Sequence, residues 1–417
     1  MNITRKTFMR MVGGTATAAL LAATASFTSA QEISPELDAW LQENALGQYT
    51  AAEENWDEIV ARATEEGEVV VYSSSGRIAK LVDHFQALYP GITLTLFDLG
   101  SVKTIEKTVR EQDAGIFAVD VVTTGNSGQV IYELLGNNRI FNYVPGQFID
   151  RIPEENRDPL LIRVNEAIVF FYNTDANPEG PPISNVWELT EERFRGRVGI
   201  KDPMGSGSSL MGLAVLVQQP EEMAAAYQRL TGEELVLGEG VPDAGYEFVR
   251  RLLANDVVIF KSGSKLADAA GAAGQDDALI AMTNMTYISR NDDKGNVNAF
   301  ITDLDPVARM VYPTYMAIGA NAPNPNAAKV FIAYLLGNPD LNLDTELTKP
   351  YTEGESFDML QGLAPYHDPG SVSPRSDVPL PAGGEVWDEM KGWNVSAEFM
   401  WEQGPALRDF WLIHSSQ

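Results

Sequence analysis

Two short runs combine glycine with hydroxyl side chains at the exits of apolar segments: Ser73-Ser74-Ser75-Gly76 after residues 68–72, and Met204-Gly205-Ser206-Gly207-Ser208-Ser209 after 198–202. Each stands between a strand-like and a helix-like run, where unpaired amide N–H groups and the positive end of a helix dipole hold an anionic or strongly polar group. The chemistry on offer is capture. Gly205, Ser206, Gly207, Ser208 and Ser209 would take an oxyanion, with Asn284 as a further donor. Ser74, Ser75, Gly76, Ser101, Thr124 and Asn126 would meet the rest of a solute from the opposite side, and Tyr287, Tyr312 and Tyr315 would shape or stack on its apolar part. Arg163 and Lys201 are candidate counter-charges. For each of these residues the plainer alternative is loop or cap duty, satisfying backbone groups.

Bond-making chemistry finds less support. Ser206 or Ser208 as a nucleophile would need a partner base, but the Gly-x-Ser-x-Gly elbow is absent at that loop and the three histidines, His84, His367 and His414, lie elsewhere. Cysteine is absent altogether, which removes thiol nucleophiles, Cys-ligated zinc and disulfides. Asp202 with Asp276 or Asp277 offers carboxylates for a divalent ion, although carboxylates at such positions are commonly caps. The reading is therefore no enzyme, no metal and no cofactor, with an exported hydrolase on a similar frame as the alternative of another class.

The elements that must position these groups follow from the hydrophobic pattern. Residues 68–72, 92–97 and 118–122 are buried-type strands, each followed by a polar loop and then a helical run, which argues for an open, mostly parallel α/β sheet with ligands at the carboxyl ends of its strands. Residues 163–174 form a long extended run, read as the crossing into a second lobe. That lobe repeats the plan with strands at 194–200 and 278–282 and a helix at 209–219, and 306–318 returns the chain to the first lobe. Upstream, residues 52–66 place Trp56, Ile59 and Ala63 on one helical face. Downstream, a Pro- and Gly-punctuated tail holds Trp387, Trp393, Trp401 and Trp411 and is expected to wrap the first lobe.

Arg5, Lys6 and Arg10 precede an uncharged, Ala-rich run over 11–30, the pattern of a secretory leader cleaved after Ala25 or Ala30. Thr4-Arg5-Lys6-Thr7-Phe8 is one residue from a twin-arginine signal, which leaves the export route open. Removing the leader takes the net charge from −28 to near −31. So acidic a chain excludes nucleic acid as a partner and favours solubility at high ionic strength. The expected organisation is a leader at 1–30, a helical segment at 31–67, a first lobe from 68–168 and 312–417, and a second lobe from 169–311.

The ordered marks resemble a known group. They are residues 69–76, the crossing at 167–173, Trp187 with Phe194-Arg195-Gly196-Arg197-Val198 and Asp202-Pro203, residues 277–284, and Ala322-Pro323-Asn324-Pro325-Asn326-Ala327-Ala328-Lys329 before the last clear helix. Together they resemble the solute-binding proteins of bacterial ABC importers, within them the ferric-ion-binding type and its phosphonate-, sugar-phosphate- and organic-anion-binding relatives. The resemblance implies a two-lobed periplasmic-binding-protein fold of type II with a two-strand hinge, closure around one small-molecule solute, and delivery to an ABC importer permease by a periplasmic monomer. In the iron-binding members two adjacent tyrosines, two residues beyond an asparagine, ligate the metal as phenolates. Here the segment reads Asn284-Met285-Thr286-Tyr287, so one phenolate is replaced by Thr286. A single phenolate is a poor site for a hard trivalent ion, which moves the expectation from iron, kept as the alternative, to an organic anion carrying a phosphate, phosphonate, sulfonate or carboxylate.

Overall fold

The computed structural model describes residues 33–51, 53–341, 360–381 and 383–415; the expected leader at 1–30 lies outside them. The described residues contain eleven strands: β1 (Glu68–Ser73), β2 (Thr93–Asp98), β3 (Val121–Thr124), β4 (Ile140–Phe141), β5 (Ile162–Asn173), β6 (Val198–Lys201), β7 (Val258–Phe260), β8 (Ile280–Asn284), β9 (Asn298–Phe300), β10 (Arg309–Gly319) and β11 (Gly392–Asn394). They bond into one sheet whose main path runs β2-β1-β3-β10-β5-β8-β6-β7. Its two ends are built alike. β2, β1 and β3 are parallel neighbours, as are β8, β6 and β7, and the antiparallel pair of β5 and β10 joins the two groups.

The two long strands belong to both halves. β10 meets β3 through Tyr315 to Ile318, whereas β5 meets β8 through Ile168 to Phe171. The molecule thus has the two α/β lobes and two crossing strands expected from the sequence. Parallel strands need crossover connections that cover both faces of the sheet, so β5 carries an unbroken apolar run, Ala167-Ile168-Val169-Phe170-Phe171, with every member buried. The first-lobe core gathers Val69, Val71, Phe85, Val121 and Phe331. A second core gathers the C-terminal half of β5 with Trp187, Leu213, Phe248 and Met282.

Helix Trp56–Glu66 starts on the Asn55 side chain and ends at Gly67, whose φ of +77° suits glycine. It packs Ile59 and Ala63 into the first-lobe core. Its last residue, Glu66, accepts the amides of Asn326 and Ala327 at 3.1 and 2.7 Å, placing a carboxylate at the N-terminus of helix Pro325–Leu335 where the dipole favours it.

The tail corrects an expectation. Residues Leu360, Leu363, Tyr366 and Val378 do pack in the first-lobe core, but Trp387, Met390, Val395, Met400, Leu407 and Trp411 pack in the second. The reason is the apolar surface of helices Gly207–Val217 and Ala244–Ala254, which helix Ala397–Ser415 covers; Tyr246 and Phe410 meet edge to face, 4.9 Å between centroids. Trp401 is partly exposed and stacks on Tyr132, and Trp393 sits beside Lys391. Among the described residues, no helix is long and apolar enough to cross a membrane.

Candidate functional site

The loops that leave β1, β6 and β8 converge on one cavity of about 240 Å³ beside the crossing strands. From the first lobe come Ser74, Ser75, Gly76, Arg77 and Ser101; from the second come Lys201, Gly205, Ser206, Ser208, Ser209, Asn284, Thr286 and Tyr287; the crossing strands add Arg163, Glu166, Tyr312 and Thr314. Ligand space at the carboxyl ends of parallel strands is what an open α/β sheet provides.

Each loop is fixed locally. The Ser74 amide donates to the Thr123 carbonyl at 3.0 Å, and the Ser75 amide to Ser73 Oγ at 3.0 Å, so the turn is held from both strands. Ser206 caps helix Gly207–Val217: its Oγ accepts from the Ser209 amide at 3.5 Å and the Ser209 hydroxyl at 3.2 Å, and lies 3.1 Å from Ser208 Oγ. The lobes touch here. The Gly207 amide donates to Ser101 Oγ at 3.0 Å, and Arg77 Nη2 donates to Thr286 Oγ1 at 2.8 Å. A Cβ at Gly207 would stand 2.9 Å from both Asn126 Cβ and Ser101 Oγ, which is why that position is glycine.

The charged groups are the most informative. Arg163 is 1% exposed, its guanidinium lies 3.8 Å from the centroid of the Tyr366 ring, and Nε and Nη1 have no hydrogen-bond partner among the described residues. Lys201 is held below its ordinary pKa by burial, against the opposing pull of Glu166 and Asp98. Glu166 accepts from the Tyr312 hydroxyl at 3.2 Å and from Ser371 Oγ at 3.3 Å, and lies 3.9 Å from Arg77. Three cations against one carboxylate make a locally positive cavity within a strongly acidic chain. Burial pushes the phenols of Tyr287 and Tyr312 up, and Glu166 adds to the rise at both, so they stand as neutral hydrogen-bonding groups. Asn284 is largely occupied: Nδ2 donates to Tyr312 at 2.5 Å and Oδ1 accepts from both the amide and the hydroxyl of Thr286. Among the described residues there is no group of three or more His, Asp or Glu able to hold a metal ion.

Thirteen of the seventeen residues singled out from sequence line this cavity, and four do not. Thr124 is buried with its hydroxyl on the Gly125 carbonyl, and Asn126 is buried with its amide on Gln129. Gly207 spends its amide on Ser101, and Tyr315 packs beside the Tyr72 and Ile105 cluster. The predicted crown of five amides is also smaller than expected, since those of Gly205, Gly207 and Ser209 are used within the protein. Sequence reasoning missed Arg77, Glu166, Thr286 and Thr314. A carboxylate three residues after Arg163 and directly before the apolar run of β5 was a signal for Glu166, and Arg77 directly follows the serine-rich loop.

Comparison of the whole structure with solved structures decides the fold. Iron-bound HitA from Pseudomonas aeruginosa superposes with a TM-score of 0.61 at 15% identity, over 82% of this chain and 99% of that one. The protein has the fold of the periplasmic binding proteins. Apo ferric ion-binding protein A from Pasteurella haemolytica gives a TM-score of 0.60 at 15% identity, covering 84% and 98%, and the binding protein AgtB from A. tumefaciens R10, in complex with agropinic acid, gives 0.55 at 13%, covering 84% and 99%. All three are binding proteins, and they take ligands as unlike as an iron ion and an organic acid. No protein-family profile and no curated protein sequence matches the chain.

Proposed function

We propose that this protein is an exported solute-binding protein that captures a small organic anion between its lobes and presents it to an ABC importer permease. The observation that carries this reading is Arg163, a buried guanidinium stacked on Tyr366 whose Nε and Nη1 are left without partners at the wall of the inter-lobe cavity. Keeping an unpaired charge there is costly unless something pairs with it, and a carboxylate, phosphonate, phosphate or sulfonate is the planar or branched oxyanion its donor fork suits. Lys201 and the hydroxyls of Ser206 and Ser208 supply further donors, and Glu166 offers an acceptor for a hydroxyl or ammonium group elsewhere on the solute.

Function would follow from closure without covalent chemistry. A solute that touches the Ser74–Ser75 loop and the Ser206–Ser208 loop together binds the closed form better than the open one, and shifts the equilibrium by that difference. The test is a thermal-shift screen of ligand-stripped protein against organic phosphonates, sugar phosphates, sulfonates, carboxylates, neutral sugars, polyamines and ferric citrate. At a hundred-fold excess over its dissociation constant, a ligand adds about 2.7 kcal/mol. Stabilisation confined to oxyanion-bearing organic compounds is expected. Stabilisation by ferric citrate alone would replace this reading with iron binding, and stabilisation by neutral sugars alone would remove the role given to Arg163.

A further inference from the structure

We propose that Arg77 is a positioning residue that holds the two lobes together, completing a series of hydrogen bonds across the cavity that exists only while the lobes are closed. This rests on closure of the lobes around the cavity and is independent of the anion assigned above. Arg77 Nη2 donates to Thr286 Oγ1 at 2.8 Å, from the first lobe to the second. Thr286 donates its hydroxyl to Asn284 Oδ1, which also accepts the Thr286 amide at 2.8 Å. That fixes the other end of the Asn284 side chain, whose Nδ2 donates to the Tyr312 hydroxyl at 2.5 Å, and Tyr312 donates to Glu166 Oε2 at 3.2 Å. Glu166 Oε1 lies 3.9 Å from Arg77 Nη1, so the series returns to the residue where it began.

The direction of every bond is forced. A guanidinium has only donors, so Thr286 must accept from Arg77, and its single hydroxyl proton is left for Asn284. Tyr312 receives Asn284 Nδ2 on its oxygen and gives its one proton to the carboxylate; burial and the Glu166 charge keep that phenol protonated. Bonds aligned head to tail polarise one another, so the set is worth more whole than in pieces. Its two anchors are paired strand neighbours: Glu166 on β5 stands opposite Tyr312 on β10, one rung of the pair that both lobes share. A second bond between the lobes, from the Gly207 amide to Ser101, joins two helix starts and reaches neither crossing strand. Opening the jaws pulls Arg77 off Thr286, so this link adds to the cost of opening whatever the solute is.

The decisive test needs no solute. The sequence holds no cysteine, so Asp83→Cys and Lys265→Cys, exposed positions on opposite lobes, are the sole sites for spin labels. Double electron–electron resonance on ligand-stripped protein then reads the short and long distances of the closed and open forms. In that background Thr286→Val should raise the ratio of long to short about tenfold, the worth of one hydrogen bond from a charged donor, and Thr286→Ser, which keeps the hydroxyl, should restore it. Arg77→Met should match Thr286→Val, and the two together should do no more than either. In calorimetric titrations with phenylphosphonate and succinate, each acid that binds should lose affinity by one common factor in Thr286→Val, because a population has shifted and no contact is lost. Equal distances in the parent and Thr286→Val proteins, or additive effects of the two substitutions, would overturn the proposal and leave the anion site standing. A loss confined to one acid would overturn it as well, by making Thr286 a ligand. Failure of every acid in the thermal screen would remove the anion reading alone, since the distances are read without one.

Discussion

Replacing Arg163 by Met separates ligand capture from folding. Arg163 contributes two buried N–H groups without partners and a stack on Tyr366. Each unsatisfied buried donor costs about 1–3 kcal/mol, more on a charged group, and the desolvated cation–π contact returns about 2 kcal/mol. Methionine removes the unpaired charge and keeps much of the apolar volume, so the ligand-free Arg163→Met protein should be more stable by up to about 4 kcal/mol, the difference of those terms. In a protein of this size, where an unfolding entropy of about 2.1 cal/mol/K per residue makes 1 kcal/mol worth about 1 °C, that is a rise of up to about 5 °C in melting temperature. Capture should move the other way. Losing two charge-assisted hydrogen bonds, each worth about 1.5–3 kcal/mol, lowers affinity for an oxyanion by a factor of about 100 or more. Differential scanning calorimetry of both proteins, with and without a stabilising acid from the screen, reads both effects. A ligand-free variant that melts several degrees lower, with its response to the acid intact, would refute the reasoning, because Arg163 would then be a structural group.

Three further outcomes follow from the same contacts. Gly207→Val places side-chain atoms against Asn126 and Ser101, so the lobes should stand apart: small-angle scattering of the liganded protein should keep the larger radius of the open form, with affinity down about tenfold. Ser206→Ala combined with Ser208→Ala should weaken oxyanion binding at least tenfold for about 1 kcal/mol of stability, the usual worth of a helix cap; an unchanged dissociation constant would dismiss those hydroxyls as ligands. Burial raises the Asp120 carboxyl from 3.8 to about 6, against the amides of Val70 and Asn324 that hold it down, so the folded protein keeps its proton longer than the unfolded chain. Stability from this group is therefore full below about pH 4 and falls by up to about 3 kcal/mol as pH rises through 6; urea titrations from pH 4 to 7 should show that slope, and Asp120→Asn should flatten it.

The lobes were legible because their strands advertise themselves. A short apolar run such as 167–171, rich in β-branched and aromatic residues and ending in turn residues, reads as a strand covered on both faces, and three strand–loop–helix units in series leave few topologies open. Helix Ala397–Ser415 was not legible: Pro405 lies within it and breaks the local signal, and its stability comes from Trp411 and Leu407 docking on a surface far away in sequence. The candidate site shows the same division. Hydroxyl and glycine loops at strand ends were visible as loops, but the contact of Ser101 with Gly207 depends on how two lobes meet. Asn126 and Thr124 were misplaced because a polar residue after a strand turns inward as readily as toward a ligand.

The tail gives the molecule a third passage between its halves. Val378 is anchored in the first core and Val386 against the second, so the chain crosses once more outside the sheet, beyond β5 and β10. Two adjacent strands alone form a pivot that bends and twists; a strap some way from that pivot resists the twist and sets a limit on how far the jaws swing apart. The empty protein should then sample a narrow range of openings, and a solute arriving at the mouth would meet jaws already close to register, with less disorder to remove on closing.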